Sequence, residues 1–198
     1  FYSTFIAPPL DQKWYFEYAM VGGGAGQGPT IVLKRYEVAG GNDEAHKDFQ
    51  YRWISDVGVS VNSLGSGVYT TLGGAGFGTD DVLAIFVDGA DIQFIKNGSV
   101  SYTATSAITS VNSDQIMLCG YSGDTGIYSL NYGQDATFGG YKSPSTVYSD
   151  SNGVGAFFHD PPAGALACCT ANLSDPEIAL PDDNFNTILS DDGAGAKT

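Results

Sequence analysis

The stretch VLAIFVDGADIQFIKNGSVSYTA, residues 82–104, decides the fold. It contains two turns, Asp88-Gly89 and Asn97-Gly98, each set between strongly apolar runs. Asp-Gly and Asn-Gly supply the positive φ angles of tight hairpin turns, so the stretch reads as consecutive antiparallel strands. The same texture extends in both directions. In KWYFEYAM (13–20), Trp14, Phe16, Tyr18 and Met20 alternate with Lys13, Tyr15, Glu17 and Ala19, the period of a strand with two distinct faces. TIVLKRYEV (30–38), FQYRWISDVGVSV (49–61), QIMLCGY (115–121), IYSLNYGQ (127–134) and ALACCTANL (165–173) each read as a further strand. Helical periodicity is confined to a single turn near Asp183 to Leu189.

About eight or nine short antiparallel strands with glycine-rich connections predict an all-β fold, an antiparallel two-sheet β-sandwich. Composition agrees. The chain has 198 residues, 27 of them glycine, which is about twice the average usage of ~7%. Tyr, Phe, Val, Ile and Thr are abundant, which is strand chemistry. The sandwich is expected over residues 1–173. Residues 174–198, SDPEIALPDDNFNTILSDDGAGAKT, change texture and read as an acidic tail or a linker to a further module. The first residue is Phe1 and not Met, so a processed start or a piece of a larger polypeptide is expected.

A formal charge of −14, with only eight Lys and Arg, leaves too few cations for a patch that tracks phosphates. Nucleic acid and anionic membrane surfaces are therefore disfavoured as partners on electrostatic grounds. No window of about 18 apolar residues occurs, so no membrane-spanning segment is expected. The cysteines, Cys119, Cys168 and Cys169, have no regular spacing and are expected as buried thiols, with no disulfide. Neighbours on a strand point to opposite faces, so Cys168 and Cys169 are poorly placed to bridge one another. A bridge from Cys119 to one of them is the alternative.

Taken together, KWYFEYAM, DDVLAIFVDGADIQFIKNG, IYSLNYGQ and FFHDPPAGALACCTANLSDPEI occur in the order and spacing of a SPRY domain. The chain resembles in particular the SPRY-like modules of large virion proteins in tailed bacteriophages. The resemblance spans roughly residues 13–178, and its specific part is NYGQ followed by PPAG and CTANLSDPE. It implies a concanavalin A-like jelly-roll sandwich whose loops bind partners, with no known catalysis. Two departures concern loops and strand faces: IVLKRYEV is more charged than the family's usual strand, and Ala165 replaces an aromatic residue. The family strands before KWY are reduced to FYSTFIAPPLDQ, which implies that the first strands are missing.

Catalytic and metal chemistry find little support in the sequence. His159-Asp160 offers a base and an orienting partner, but no G-x-S-x-G elbow accompanies it, and it reads better as a polar cap before Pro161-Pro162. Zinc would want C-x-x-C or H-x-x-x-H spacing, and Asp43, His46 and Asp48 read as a solvated loop. No cofactor is expected. Calcium is the ion best matched by the loop oxygens, with Asp80, Asp81 and Asp150 as its candidate ligands. The paired strand carboxylates of a sandwich glycosidase are absent; Glu17 and Glu37 are nearly the only acids within strands. GGGAGQG and GGAGFG lack the following Lys-Ser/Thr of a phosphate loop.

Aromatic residues are the remaining resource. Tyrosine on loops makes rigid amphipathic contacts at low entropic cost. Trp53, Tyr69, Tyr121 and Tyr141 are the candidate exposed contacts, each with core filling as the alternative. The sequence thus predicts a non-enzymatic binding or structural module of a phage-like virion protein. Its expected setting is a multi-copy particle, as a tail fibre, an appendage or a capsid decoration, with virion proteins or a host-surface protein or glycan as partners. A calcium- or aromatic-based lectin-like module is the alternative. A sandwich glycoside hydrolase and a cellular SPRY adaptor are remoter readings.

Overall fold

The computed structural model describes the backbone of residues 2–6, 13–22, 27–35, 47–54, 57–63, 70–106, 115–121 and 127–172. Side chains are described for 13–22, 53, 57–61, 70–106, 127–169, 171 and 172. Twelve strands are present among these residues: β1 (Tyr2–Ile6), β2 (Lys13–Gly22), β3 (Gln27–Arg35), β4 (Lys47–Ile54), β5 (Gly58–Ser63), β6 (Thr70–Gly73), β7 (Val82–Asp88), β8 (Asp91–Lys96), β9 (Ser99–Ala104), β10 (Gln115–Tyr121), β11 (Ile127–Asn131) and β12 (Leu166–Ala167). They form two sheets, in the orders β1-β10-β3-β4-β5-β6 and β11-β2-β7-β8-β9. The pairings along both orders are antiparallel; β12 adds to β2 in parallel, at Leu166–Trp14 and Ala167–Tyr15.

The stretch 82–104 folds as its turn residues demand. Asn97 (φ 50°) and Gly98 (φ 77°) both adopt positive φ, the requirement of a type I′ hairpin turn between β8 and β9. At the other turn Asp88 pairs with Asp91, so Gly89-Ala90 is the two-residue loop and only Gly89 has positive φ. That places glycine at the first central position, as a type II′ turn prefers. Two strand expectations need correction. FQYRWISDVGVSV is a hairpin and not one strand: β4 runs to Ile54, β5 starts at Gly58, and Trp53 pairs with Val59. ALACCTANL keeps only two strand residues before a 3-10 turn at Thr170–Asn172. The turn near Asp183–Leu189 lies outside the described residues.

Between the sheets lies an apolar cluster of Trp14, Phe16, Tyr18 and Met20 from β2, Leu83, Ile85 and Val87 from β7, and Ile92 and Phe94 from β8. Trp53 and Val59 of the opposite sheet enter the same cluster, which makes the two sheets a sandwich. Trp53 is fully buried, its ring set edge-on to Phe94 at 5.8 Å and to Phe77 at 6.5 Å. Its indole N–H donates to the Ala75 carbonyl at 2.7 Å, tying the glycine-rich 73–78 connection to the core.

The outer face of β2 and β7 is buried as well. Tyr15, Ala84 and Phe86 pack with Ile95, Phe157, Ala165 and Ala167 in a second cluster. Ala19 and Val82 pack with Phe138 in a third. An antiparallel sheet commonly leaves one face to water. Here the irregular chain between β11 and residue 172 covers it, so the polar member of the alternating pattern, Glu17, is buried too. Cys168 and Cys169 divide between these layers, Cys168 against the inner cluster and Cys169 against the second one.

Replacing Trp53 by Ala removes a side chain shared by both sheets and should cost about 3–5 kcal/mol of unfolding free energy. Urea titration followed by far-ultraviolet circular dichroism tests this; a loss below about 1 kcal/mol would show that Trp53 does not join the sheets energetically.

Candidate binding surface

The layer over the outer face is organised by Glu17 and Asp150, and a third carboxylate, Asp81, organises the turn before β7. Glu17, on β2 between Tyr15 and Ala19, is 0% exposed. Its Oε1 accepts the His159 backbone N–H at 2.9 Å and the Tyr15 hydroxyl at 3.1 Å. Its Oε2 accepts the Phe158 N–H at 2.9 Å and Asn131 Nδ2 at 3.0 Å. Burial holds the Glu17 carboxyl above its ordinary pKa in spite of these four donors. Burial, with Glu17 as neighbour, raises the Tyr15 phenol too. Asn131 extends the arrangement: Nδ2 also donates to the Ala156 carbonyl at 2.8 Å, while Oδ1 accepts the N–H groups of Gly133 and Asp135 at 2.9 and 3.1 Å.

Asp150 is the second centre. Its Oδ1 accepts the N–H groups of Asn152 (2.9 Å) and Val154 (2.8 Å). Its Oδ2 accepts the Ala167 N–H at 2.8 Å and Asn172 Nδ2 at 2.6 Å. Burial works to raise its pKa, but the Ala167 and Val154 amides and the other donors outweigh it and hold the carboxyl below the ordinary value. Asp81 is the third centre. It accepts the Gly78 N–H (2.7 Å) and Asn97 Nδ2 (2.6 Å) and pairs with the Lys96 ammonium at 2.9 Å. Here too, burial opposes and the donors prevail, so its pKa is lowered.

Asp81 and Asp150 therefore aim their oxygens at N–H and ammonium donors, which a calcium ion would have to displace. Asp80 is exposed at the turn before β7. Among the described residues, no group of three or more His, Cys, Asp or Glu is disposed to hold a metal ion. His159 sets its ring edge-on to Phe158 at 4.9 Å and lies under the β8–β9 turn, where a Cβ on Gly98 would meet its Nδ1 at 3.3 Å. Its Nε2 is buried with no hydrogen-bond partner, and burial lowers its pKa. The polar contact it makes is through its backbone, to Glu17.

The aromatic candidates separate. Trp53 is a correction: its ring is enclosed by Phe77, Phe94 and the rest of the inner cluster, and this complete burial removes it from any contact surface. Tyr69 lies outside the described residues. Tyr121 ends β10, opposite Pro29 of β3, and its side chain lies outside the described residues. Tyr141 is 65% exposed. It sits at the tip of a tightly bonded loop in which Asp135 accepts the Thr137 N–H (2.8 Å), the Thr137 hydroxyl (2.7 Å) and the Gly139 N–H (2.7 Å). The Thr137 carbonyl accepts the N–H groups of Gly140 (3.1 Å) and Lys142 (2.9 Å). Thr137 hydroxyl and the Gly139 amide thus keep the Asp135 carboxyl below its ordinary pKa.

Sequence reasoning named Tyr141 but missed how its loop is built. Three successive residues, Phe138, Gly139 and Gly140, have positive φ (53°, 72° and 87°), and Phe138 is buried beside Phe158. The glycine pair was a visible signal; the anchoring of Phe138 depends on packing against β2 and β7. A separate concavity of about 320 Å³ lies between Tyr132, Gln134, Val154 and the two adjacent cysteines.

No protein-family profile matches the chain, and no curated protein sequence matches it. Among solved structures, the SPRY domain of human HERC1 aligns with a TM-score of 0.42 at 18% identity, covering 65% of this chain and 79% of that one. Sheep galectin-11, solved in complex with glycerol, aligns with a TM-score of 0.40 at 9% identity, covering 66% and 96%. These are likenesses of outline, and no residue correspondence is drawn from them.

Glu17→Gln keeps the shape of the side chain but turns one acceptor oxygen into a donor facing donors. It should cost about 1–3 kcal/mol and speed amide exchange at Phe158 and His159; unchanged protection there would remove Glu17 as the anchor of the layer. Asp150 and Asp81, with lowered folded pKa values, add stability that is present above the ordinary aspartate pKa of about 3.9 and lost as pH falls through the folded values. Glu17, with its raised value, has the opposite sign. Asp150→Asn should therefore be less stable at neutral pH but lose less on acidification. Thermal melts between about pH 3 and 7 test this, and a parallel acid limb in both proteins would contradict it.

Proposed function

We propose that this chain is a non-enzymatic, SPRY-type binding module of a phage-like virion structural protein, carried in many copies as an appendage or a surface decoration. The observation that best supports binding over catalysis is the fate of the carboxylates in the described residues. Glu17, Asp81 and Asp150 are enclosed by their own backbone and side-chain donors, while a rigid loop holds an aromatic ring out to water. The acid–base pair of a glycoside hydrolase needs carboxyl groups facing a substrate cleft, about 5–10 Å apart. The buried groups have no such outlook.

Support for the SPRY and virion parts of this reading comes from the quoted motifs, KWYFEYAM through CTANLSDPE. A repeated copy on a particle would raise a weak loop contact by avidity. A lectin-like module is the second reading, favoured by the exposed Tyr141 ring. Particles purified from the source should contain the chain by mass spectrometry, and the isolated protein should release no reducing ends from a polysaccharide panel. Turnover at enzymatic rates, or absence of the chain from particles, would each defeat the corresponding half. Glycan-array binding abolished by EDTA would favour the lectin instead.

A further inference from the structure

Residues 158–160 cross the outer face as a strap with few attachments. Phe157 exchanges two backbone bonds with Tyr148 at one end, and Pro161-Pro162 follow at the other. Between them the strap's backbone hydrogen bonds, among the described residues, are the two that Phe158 and His159 give to Glu17, each 2.9 Å long. Side chains supply the rest. Phe158 packs beside Phe138, while the His159 ring sits edge-on to Phe158 and under the β8–β9 turn. The fit at that turn is close, since a Cβ on Gly98 would meet Nδ1 at 3.3 Å and Cγ at 3.6 Å.

This seat suits a neutral imidazole. Its Nε2 is buried with no hydrogen-bond partner. A neutral ring can keep its proton on Nδ1 and leave Nε2 a bare acceptor, which forfeits one hydrogen bond. An imidazolium has N–H groups on both nitrogens and a full charge, which a buried site must pair or hydrate. The titratable groups on the surrounding elements are committed elsewhere. Glu17 on β2 already has four donors, the Tyr15 hydroxyl among them. Lys96, which leads into the β8–β9 turn, is paired with Asp81. Asp135 is bound within the loop that carries Phe138, and Asp160 on the strap itself is exposed.

We propose that residues 158–160 form an acid-operated strap: a proton on the His159 imidazole drives the ring from under the β8–β9 turn and lifts the strap off Glu17. Burial lowers the folded pKa of His159 from its ordinary value of about 6.5. The stability that the neutral ring contributes is therefore present above about pH 6.5 and is lost as pH falls from there through the folded value. Glu17, with its raised value, shifts in the opposite sense and offsets part of this loss. One proton taken up on opening multiplies the open population by up to about tenfold per pH unit. The cover over one face of the sandwich is thereby tied to the acidity of the medium.

The test follows amide hydrogen exchange of the intact chain between about pH 7.5 and 5, corrected for the intrinsic pH dependence of exchange. Opening at Phe158 and His159 should rise by several-fold per pH unit below about 6.5, while Ile85 on β7 stays far better protected and marks global unfolding. His159→Phe keeps a ring in the seat and removes the titration, so its strap should lack this rise; His159→Gln, uncharged and smaller, serves the same purpose should the larger ring disturb the fold. The chain has two histidines, His46 and His159, so the ring-proton titration of His159 is identified by its loss in either variant. Its midpoint should lie below 6.5. A midpoint at or above 6.5 in the parent would overturn the proposal without recourse to a variant. So would a rise in strap opening that is the same in the parent and in a folded variant, or no rise in the parent. These outcomes bear on the strap alone and leave the reading of the chain as a binding module untouched.

Discussion

A carboxylate in the middle of a strand that is covered on both faces must be surrounded by donors or the strand cannot be buried. Glu17 meets that requirement with donors from positions 15, 131, 158 and 159. Two of these are backbone N–H groups of a segment with no strand partner of its own at that point. The carboxylate therefore does the work that a neighbouring strand would do, satisfying the backbone of an irregular chain as it crosses a sheet. It ties Phe158 and His159 to β2, while Phe157 and Ala165 on either side are held by backbone bonds to Tyr148, Ser151 and Pro162. The raised pKa of Glu17 shows the tension in this arrangement, since burial works against the charge that makes the carboxylate a good acceptor.

Asp150 and Asp135 repeat the device on a smaller scale. Each gathers successive N–H groups of a tight loop, as Asp side chains do in turns. Asp150 adds a long-range bond to Ala167, the last residue of β12. The outer layer is thus built from side-chain acceptors in place of a hydrogen-bonded ladder. Such a layer can follow the contour of the sheet, and its loops are held rigid while carrying little regular structure.

Much of the sandwich was legible in the chain, because hairpin chemistry and period-2 alternation are local. The 82–104 stretch gives three strands in register, and the two faces of KWYFEYAM separate into inner and outer clusters as their alternation implies. FQYRWISDVGVSV misled because its apolar residues keep mainly to odd positions on both sides of Ser55-Asp56, as in one continuous strand, and the bend is decided by pairing: Trp53 with Val59 cannot be read from either half. β1 and β6 also escaped notice, being short and paired at the sheet edges. The candidate site was much less readable. Trp53 and Tyr141 were equal candidates in sequence, but Trp53 lies on a strand whose inner face meets the opposite sheet, while Tyr141 stands on a loop. Glu17 was noticed as a rare acid within a strand, but its role rests on donors that lie 114 to 142 positions away.

That separation has a consequence during synthesis. A ribosome adds roughly 5–20 residues per second, so the outer face of β2 waits on the order of ten seconds for the segment that will cover it. Throughout this interval Tyr15 and its apolar neighbours face solvent beside a hydrated carboxylate. While Glu17 is uncovered it is an ordinary solvated anion, and its charge discourages two nascent chains from pairing through that strand. The group that later binds the layer in place thus first serves as a temporary guard against aggregation.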